Sequence, residues 1–236
     1  MGYILPQMTK NCNKQDYEKL TKQTYNQEAE SFAKTRQKKD FVLDYFFKWQ
    51  KPKGKILDLG CGSGRALKYL NKQRFFNNPK NSYLGIDYSK NLLNIAKSYA
   101  MLNNLAIKKI GFKYFDFKKI NLQQKFDYIL ALASLHHIEP KNHLSVFKKI
   151  HAFLKPEGEI AGFVWTPPKK LIPNWEKIND QNYLKPWNGK NGAKIFIYLF
   201  KKSELGNLLK SAGFKKIETK IVGKNIKKNI YFKATY

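Results

Sequence analysis

Two short stretches hold the side chains best suited to chemistry. ILDLGCGSG, residues 56–64, sets Asp58 ahead of glycines at 60, 62 and 64. ALASLHHIEP, residues 131–140, runs an apolar segment directly into His136 and His137, half of the chain's four histidines. A glycine turn at the end of an apolar segment lets backbone approach a ligand closely, since glycine adopts positive φ at no steric cost. The spacing is G-x-G-x-G, and Arg65 stands where the third glycine of G-x-G-x-x-G would fall. Asp87 ends the next apolar stretch, SYLGID. There a carboxylate can accept two hydrogen bonds from a ribose diol, at the carboxyl edge of an open α/β sheet.

The paired histidines admit three readings: metal ligands, packed ends of a strand, or the wall of a pocket. His136, His137, His143 and His151 lie close in sequence, but no cysteine or carboxylate cluster joins them at ligand spacing. No metal site is expected. Packing and a pocket wall both stay open, one for each member of the pair.

These residues need a scaffold, and the hydrophobic pattern supplies one. KILDLG (55–60), SYLGID (82–87) and FDYILALAS (126–134) are short apolar runs, the last nearly continuous, as in strands covered on both faces. FKYFDF (112–117) alternates like an edge strand, and LKPEGEIAGFVW (154–165) reads as a turn and a fifth strand. Helical patterns separate them: RALKYLNKQ, then NLLNIAKSYAML behind Ser89 as N-cap, then Pro140 to Phe153 with proline in the first turn. Upstream, residues 13–48 predict two helices broken near 33–36. Downstream, 166–194 is rich in Pro, Asn and Lys and reads as an insertion. A strand at 195–200, a helix at 203–213 ended by Gly213, and strands near 214–222 and 228–236 follow. Strands alternating with helices predict a doubly wound, mostly parallel sheet.

The 236 residues are enough for one full core, and 42% hydrophobic residues with 17 Phe are globular values. No run approaches the roughly 20 apolar residues of a membrane span. The first residues carry no charged region followed by a long apolar one, so no secretory signal is expected. Cys12 and Cys61 are too few for a disulfide framework or a four-cysteine zinc site, and a reducing cytoplasm fits. The net charge of +28 suits a polyanionic partner, nucleic acid above all. Only three of the basic residues are arginine, Arg36, Arg65 and Arg74, so an AT-rich genome and solvated lysines explain the charge equally well.

From LDLGCGSG through GIDYS, the Asp116 step in FKYFDF, FDYILALASLHHI and LKPEGE, residues 55–165 resemble the class I S-adenosylmethionine-dependent methyltransferases. The resemblance implies a Rossmann-like α/β fold with a seven-stranded sheet. One domain would span 1–236: an N-terminal helical segment at 13–50, a cofactor-binding core at 55–165 and a substrate-side insertion at 166–200 after the fifth strand. It implies S-adenosylmethionine held by Asp58, Gly60, Cys61, Gly62 and Gly64 at its methionine end, by Asp87 and Tyr88 at the ribose, by Asp116 and Phe117 at the adenine, and by Ala133. Glu157 stands where the family's turn has a second glycine, and a local backbone adjustment is expected there. In that fold the end of the fourth strand faces the reactive methyl, so SLHHIEP lines the acceptor pocket, with at least one imidazole available to donate.

The flanks YNQEAESFAKTRQ, LHH, KPW and IFIYLFKKSEL are similar to segments of the tRNA wobble-uridine carboxymethyl methyltransferase family. That resemblance implies esterification of a carboxymethyl group on the anticodon's first base. Arg36, His136 and His137 would hold the reacting carboxylate, and Arg36, Trp165, Trp187 and Tyr198 would contact the substrate. It further implies cytoplasmic tRNA as partner and a small zinc-containing activator protein along the strand near Phe112–Phe117. Departures loosen the substrate assignment: Asp40-Phe41 replaces Trp-Pro, Lys185 replaces an apolar residue, and Asn182 stands for Asp. An Arg and a His expected around Tyr198 are Ile and Leu. The rival reading is methylation of a small metabolite or quinone precursor on the same fold, and a non-catalytic scaffold is the third.

Overall fold

The computed structural model describes residues 16–36, 41–105, 107–116, 119–168, 174–187, 192–223 and 228–236. Helices α1 (Tyr17–Gln27), α2 (Ala29–Thr35) and α3 (Phe41–Trp49) precede strand β1 (Lys55–Leu59). Then come α4 (Arg65–Lys72), β2 (Ser82–Asp87), α5 (Lys90–Leu102), β3 (Ile110–Tyr114), β4 (Phe126–Leu132), α6 (Pro140–Ala152) and β5 (Leu154–Trp165). Strands β6 (Glu176–Lys177), β7 (Asn182–Pro186) and β8 (Lys194–Tyr198) lead to α7 (Lys202–Ser211), β9 (Lys215–Val222) and β10 (Asn229–Thr235).

The main sheet has seven strands in the order β3-β2-β1-β4-β5-β10-β9. Strands β1 to β5 pair in parallel, and β10 runs antiparallel to both β5 and β9. This is the expected mostly parallel α/β sheet. Alternation within each strand feeds two cores: Leu57, Ile129 and Ile160 join Phe147, Ile150 and Leu205 on one face. Ile56, Leu130 and Ala161 join Phe46, Leu67 and Leu93 on the other. A period of two is what sends neighbouring residues to opposite faces. The order reverses between β1 and β4, and their carboxyl ends open a crevice there, the usual ligand site of such sheets.

Three details differ from the sequence expectation. The N-terminal segment bends at Glu28 as well as after Thr35, giving three helices. The Glu28 amide still donates to the Thr24 carbonyl, so the bend is a redirection: α1 lies on β8 and α2 on α5. The turn expected ahead of the fifth strand is a bulge within β5, where pairing jumps from Phe126–Leu154 to Tyr128–Glu159. Glu157 sits there at φ +62°, the adjustment expected of a residue in place of glycine. Finally, the stretch after β5 is not structureless, because β6, β7 and β8 form a second, antiparallel sheet. Its apolar face carries Trp187, Ile195, Ile197 and Leu199, with Tyr25, Phe32 and Trp165 packed against them.

Candidate active site

The glycine turn and the acid ending β2 form one hydrogen-bonded unit. The Gly60 and Cys61 amides donate to the Ile86 carbonyl at 2.9 and 3.0 Å. The Gly62 amide donates to Asp87 Oδ2 and the Ser89 amide to Oδ1, both at 2.8 Å. Gly60, Gly62 and Gly64 all lie at positive φ, which a side chain tolerates poorly. A Cβ on Gly64 would also come within 3.2 Å of the Ala96 Cβ. Cys61 is buried, and its sulfur packs where a Cβ on Gly85 would sit, 2.8 Å away, so its side chain is a spacer between strands.

Asp58, at the end of β1, accepts from the Tyr83 hydroxyl at 2.6 Å. Burial raises its pKa to about 7, against the lowering effect of that hydrogen bond. Burial likewise raises Asp87 to about 6, opposed by backbone amides of Ser89, Gly62 and Tyr88. Three backbone amides thus meet the four acceptor positions of the carboxylate, which leaves one to accept from a ligand hydroxyl.

Beside this unit lies a cavity of about 270 Å³ that brings Tyr88, Asp116, His137 and Ile138 together under Glu18 and Lys22 of α1. Its size is near the lower end of small-molecule sites, roughly 300–1,000 Å³. Phe117 lies outside the described residues. Ala133 has φ +61°, and its amide donates to the Phe163 carbonyl at 3.0 Å. This left-handed residue turns the chain sharply from β4 into the 3₁₀ turn Leu135–His137, a strained conformation of the kind that costs roughly 1–3 kcal/mol.

Helix α1 is stitched across the crevice. Glu18 Oε1 accepts from the Glu139 amide and the Asn142 side chain, each at 2.9 Å. Thr21 Oγ1 accepts from the Phe196 amide at 2.8 Å, and Thr24 Oγ1 donates to the Lys194 carbonyl at 2.7 Å. Asn91 Nδ2 donates to the Asn26 carbonyl at 2.8 Å. These bonds set Tyr25 among four rings, those of Phe32, Tyr88, His137 and Trp187.

His137 has both ring nitrogens engaged. Nδ1 lies 2.8 Å from the Phe196 carbonyl, which can only accept, so Nδ1 carries the proton. Nε2 then accepts from the Tyr25 hydroxyl at 3.0 Å. Burial lowers the pKa to about 4, and the ring is neutral. His136 is buried and stacks on Trp165 at 4.8 Å, with Nδ1 lacking any hydrogen-bond partner. Burial, then the neighbouring His137, lowers its pKa too. His137 thus has both nitrogens committed, whereas His136 keeps Nδ1 unpartnered.

Arg36, at the end of α2, lays its guanidinium 4.9 Å from the Phe32 ring, and its Nε is buried without a partner. The Phe32 ring in turn lies 5.9 Å from Trp187, whose Nε1 is also buried and unpartnered. Trp165 stacks between His136 and Trp175. Arg36, Trp165, Trp187 and the two histidines are therefore linked through Phe32 and Tyr25 in one run of ring contacts, of which His137 also lines the cavity. Tyr198 does not join them: it is buried in the core against His143 and Phe200, and its hydroxyl is bound to Glu204 and Gln181. A substrate contact expected of it has no free hydroxyl to make it. Sequence reasoning passed over Tyr25 and Lys185 as site residues, although both lie in the flanking segments. Their only local signal was a tyrosine at helical spacing and a lysine in an apolar slot.

Among the described residues no group of three or more His, Cys, Asp or Glu lies close enough to hold a metal ion. No described helix is long and apolar enough to cross a membrane.

Known proteins resemble this arrangement. Residues 29–219 match the family described as Methyltransferase domain. The chain is 28% identical over 165 residues to the probable tRNA methyltransferase 9B of Bos taurus, covering 70% of this chain and 32% of that protein. It is 26% identical over 215 residues to the tRNA (carboxymethyluridine(34)-5-O)-methyltransferase of Schizosaccharomyces pombe, covering 81% of this chain and 86% of that one. The chain spans about a third of the length of the mammalian relatives it matches. A Burkholderia thailandensis 1,6-didemethyltoxoflavin-N1-methyltransferase solved with S-adenosylhomocysteine has a TM-score of 0.68, over 93% of this chain and 88% of that one. At 18% identity this is a likeness of fold.

Proposed function

The chain belongs to the methyltransferase-domain family, and from that premise we propose that it methylates the carboxylate of carboxymethyl-modified wobble uridine in tRNA, with S-adenosylmethionine as donor. The residues fit the donor on two counts. The positive-φ glycines leave a backbone cradle, and the Ser63 and Ser134 hydroxyls are buried without a hydrogen-bond partner. Asp87 and Tyr88 would hold its ribose, Asp116 and Phe117 its adenine, and the turn from Gly60 to Gly64, with Cys61 and Ala133, its methionine end. Asp58, fixed by the Tyr83 hydroxyl, joins that turn at the methionine end. When bound, the donor supplies a sulfonium methyl, which a carboxylate oxygen takes as the C–S electron pair returns to sulfur, with no proton transferred.

The single observation behind the acceptor assignment is Arg36, a cation kept against aromatic rings with an unpartnered, buried Nε. Carboxylates titrate near pH 4, so the acceptor is ionised at neutral pH and needs no base. Neutral imidazoles suit that chemistry. His137 positions Tyr25, and His136 with Trp165 walls the pocket. The guanidinium orients the carboxylate, and orientation alone supplies several kcal/mol of such a barrier. The Schizosaccharomyces pombe likeness over most of both chains supports the tRNA substrate, as does the net charge of +28. On the same reading a small zinc-containing activator docks along β3, the edge strand, and the reaction takes place in the cytoplasm.

The test is incubation of bulk tRNA with labelled donor, followed by nucleoside mass analysis. The expected product is the methyl ester of carboxymethyluridine, depleted with Arg36→Ala. Transfer to small acids or quinone precursors and never to tRNA overturns the reading. Raising salt from 50 to 200 mM should cut tRNA turnover by orders of magnitude by releasing phosphate contacts, whereas turnover of a small metabolite would hardly change.

A further inference from the structure

Lys185 stands in the KPW stretch that ends β7, and its surroundings are unusual for a lysine. It leaves β7 half-buried, with Nζ 5.9 Å from the centre of the Trp187 ring. Arg36 sits on the Phe32 ring, and Phe32 and Trp187 are themselves 5.9 Å apart. Two cations thus flank one aromatic pair. Among the described residues neither forms an ion pair with a carboxylate. The ammonium has only a long contact of 3.4 Å to the Pro186 carbonyl. Arg36 Nε and Trp187 Nε1 are buried with nothing to donate to. Burial, and then the Arg36 charge, pull the Lys185 pKa down, so the pair repels where it stands. With 45 basic residues in the chain, a stray lysine is unremarkable. A half-buried one set beside a second cation and two unpartnered N–H donors is not, because such an arrangement is relieved by an anion.

We propose that Arg36 and Lys185 form a two-cation seat for the acceptor's carboxylate, with the Trp187 indole N–H as a third donor. The proposal rests on the acceptor being a carboxylate and adds which groups hold it. Arg36 offers a planar fork and Lys185 a point charge, so one carboxylate oxygen can be held by each while a lone pair stays exposed to the methyl. The seat also selects for charge. An ester product is neutral, loses the attraction and leaves. Tyr25, fixed by His137, closes the seat on the cofactor side.

Calorimetry of the protein with S-adenosylhomocysteine tests this, using 5-carboxymethyluridine and its methyl ester as probes. The native chain should bind the acid at least about tenfold more tightly than the ester. Lys185→Met should shrink that ratio several-fold, Arg36 still being present, with S-adenosylhomocysteine affinity unchanged, and Lys185→Arg should restore it. No discrimination in the native chain, or undiminished discrimination in Lys185→Met, overturns the seat. Nucleoside analysis of tRNA treated with the same variants separates the two claims. Lys185-dependent discrimination with no methyl in tRNA keeps the seat and removes the tRNA substrate. Methyl in tRNA at native rate with Lys185→Met removes the seat and keeps the substrate.

Discussion

On the glycine-turn side of the crevice the acids are met by the chain itself, whereas on the opposite side the cations are not. Asp87 accepts from Gly62 and Ser89, and Asp58 from Tyr83. Arg36 and Lys185 face each other across Phe32 and Trp187 with buried N–H groups unpartnered. The first half is backbone geometry of a parallel sheet, preorganised before any ligand arrives. The second half is assembled from helices α1 and α2 and the small sheet, and on the proposed reading its charges would be balanced when an anion enters. On that reading the difference separates recognition of a common donor from choice of acceptor.

The contrast can be broken most severely at Asp87. Asp87→Ala removes a charge-assisted acceptor for a ribose, worth roughly 1.5–3 kcal/mol, and the anchor of the glycine turn, so calorimetric donor affinity should fall by about 10-fold or more. A near-native affinity would mean that the turn side does not hold the nucleoside.

The pH dependence of stability sharpens the same comparison. Burial raises Asp58 to about 7 and Asp87 to about 6, above their unfolded values near 4. The folded protein binds these protons more tightly, so their contribution is full below pH 4 and is lost as pH rises through 6 and 7. Urea unfolding without ligand should give a stability on the order of 2–4 kcal/mol lower at pH 8 than at pH 5. Asp58→Asn should flatten much of that slope. A rise in stability over the same interval would contradict the assigned burial.

The other effects belong to the acceptor side. Arg36→Ala should lower kcat/KM for tRNA by about 10- to 100-fold, the value of a charged hydrogen bond, with donor affinity unchanged. A parallel loss of donor binding would merge the two halves. Trp187→Phe keeps an aromatic ring, smaller than the indole, and deletes the N–H, so acceptor KM should rise a few-fold. No change in KM would show that the indole N–H is not a donor to the acceptor.

The halves also differ in how far they were legible in the sequence. The turn side is local: Asp58, the three glycines and Asp87 lie at strand ends, where apolar runs and turn residues mark them unambiguously. At Glu157 the sequence signalled a local backbone adjustment, and the residue takes a left-handed conformation. The hydrogen-bond partner of Asp58 was not legible, because Tyr83 stands in the neighbouring strand. The acceptor side joins Tyr25, Arg36, His137 and Lys185 across long stretches of chain, and no local pattern encodes that meeting. Tyr198 illustrates the limit, since its spacing suits a substrate contact while Glu204 and Gln181 claim its hydroxyl. The bend at Glu28 was hidden for the same reason: β8 and α5, not the helix's own residues, decide where α1 and α2 lie.

A crystal structure of the protein with S-adenosylhomocysteine and 5-carboxymethyluridine tests the central claim most directly. The account predicts the ribose diol on Asp87 and the acid group between Arg36 and Lys185, pointing at the sulfur. A nucleoside lodged away from the turn at 60–64, or an acid group directed to solvent with the two cations unchanged, would contradict it.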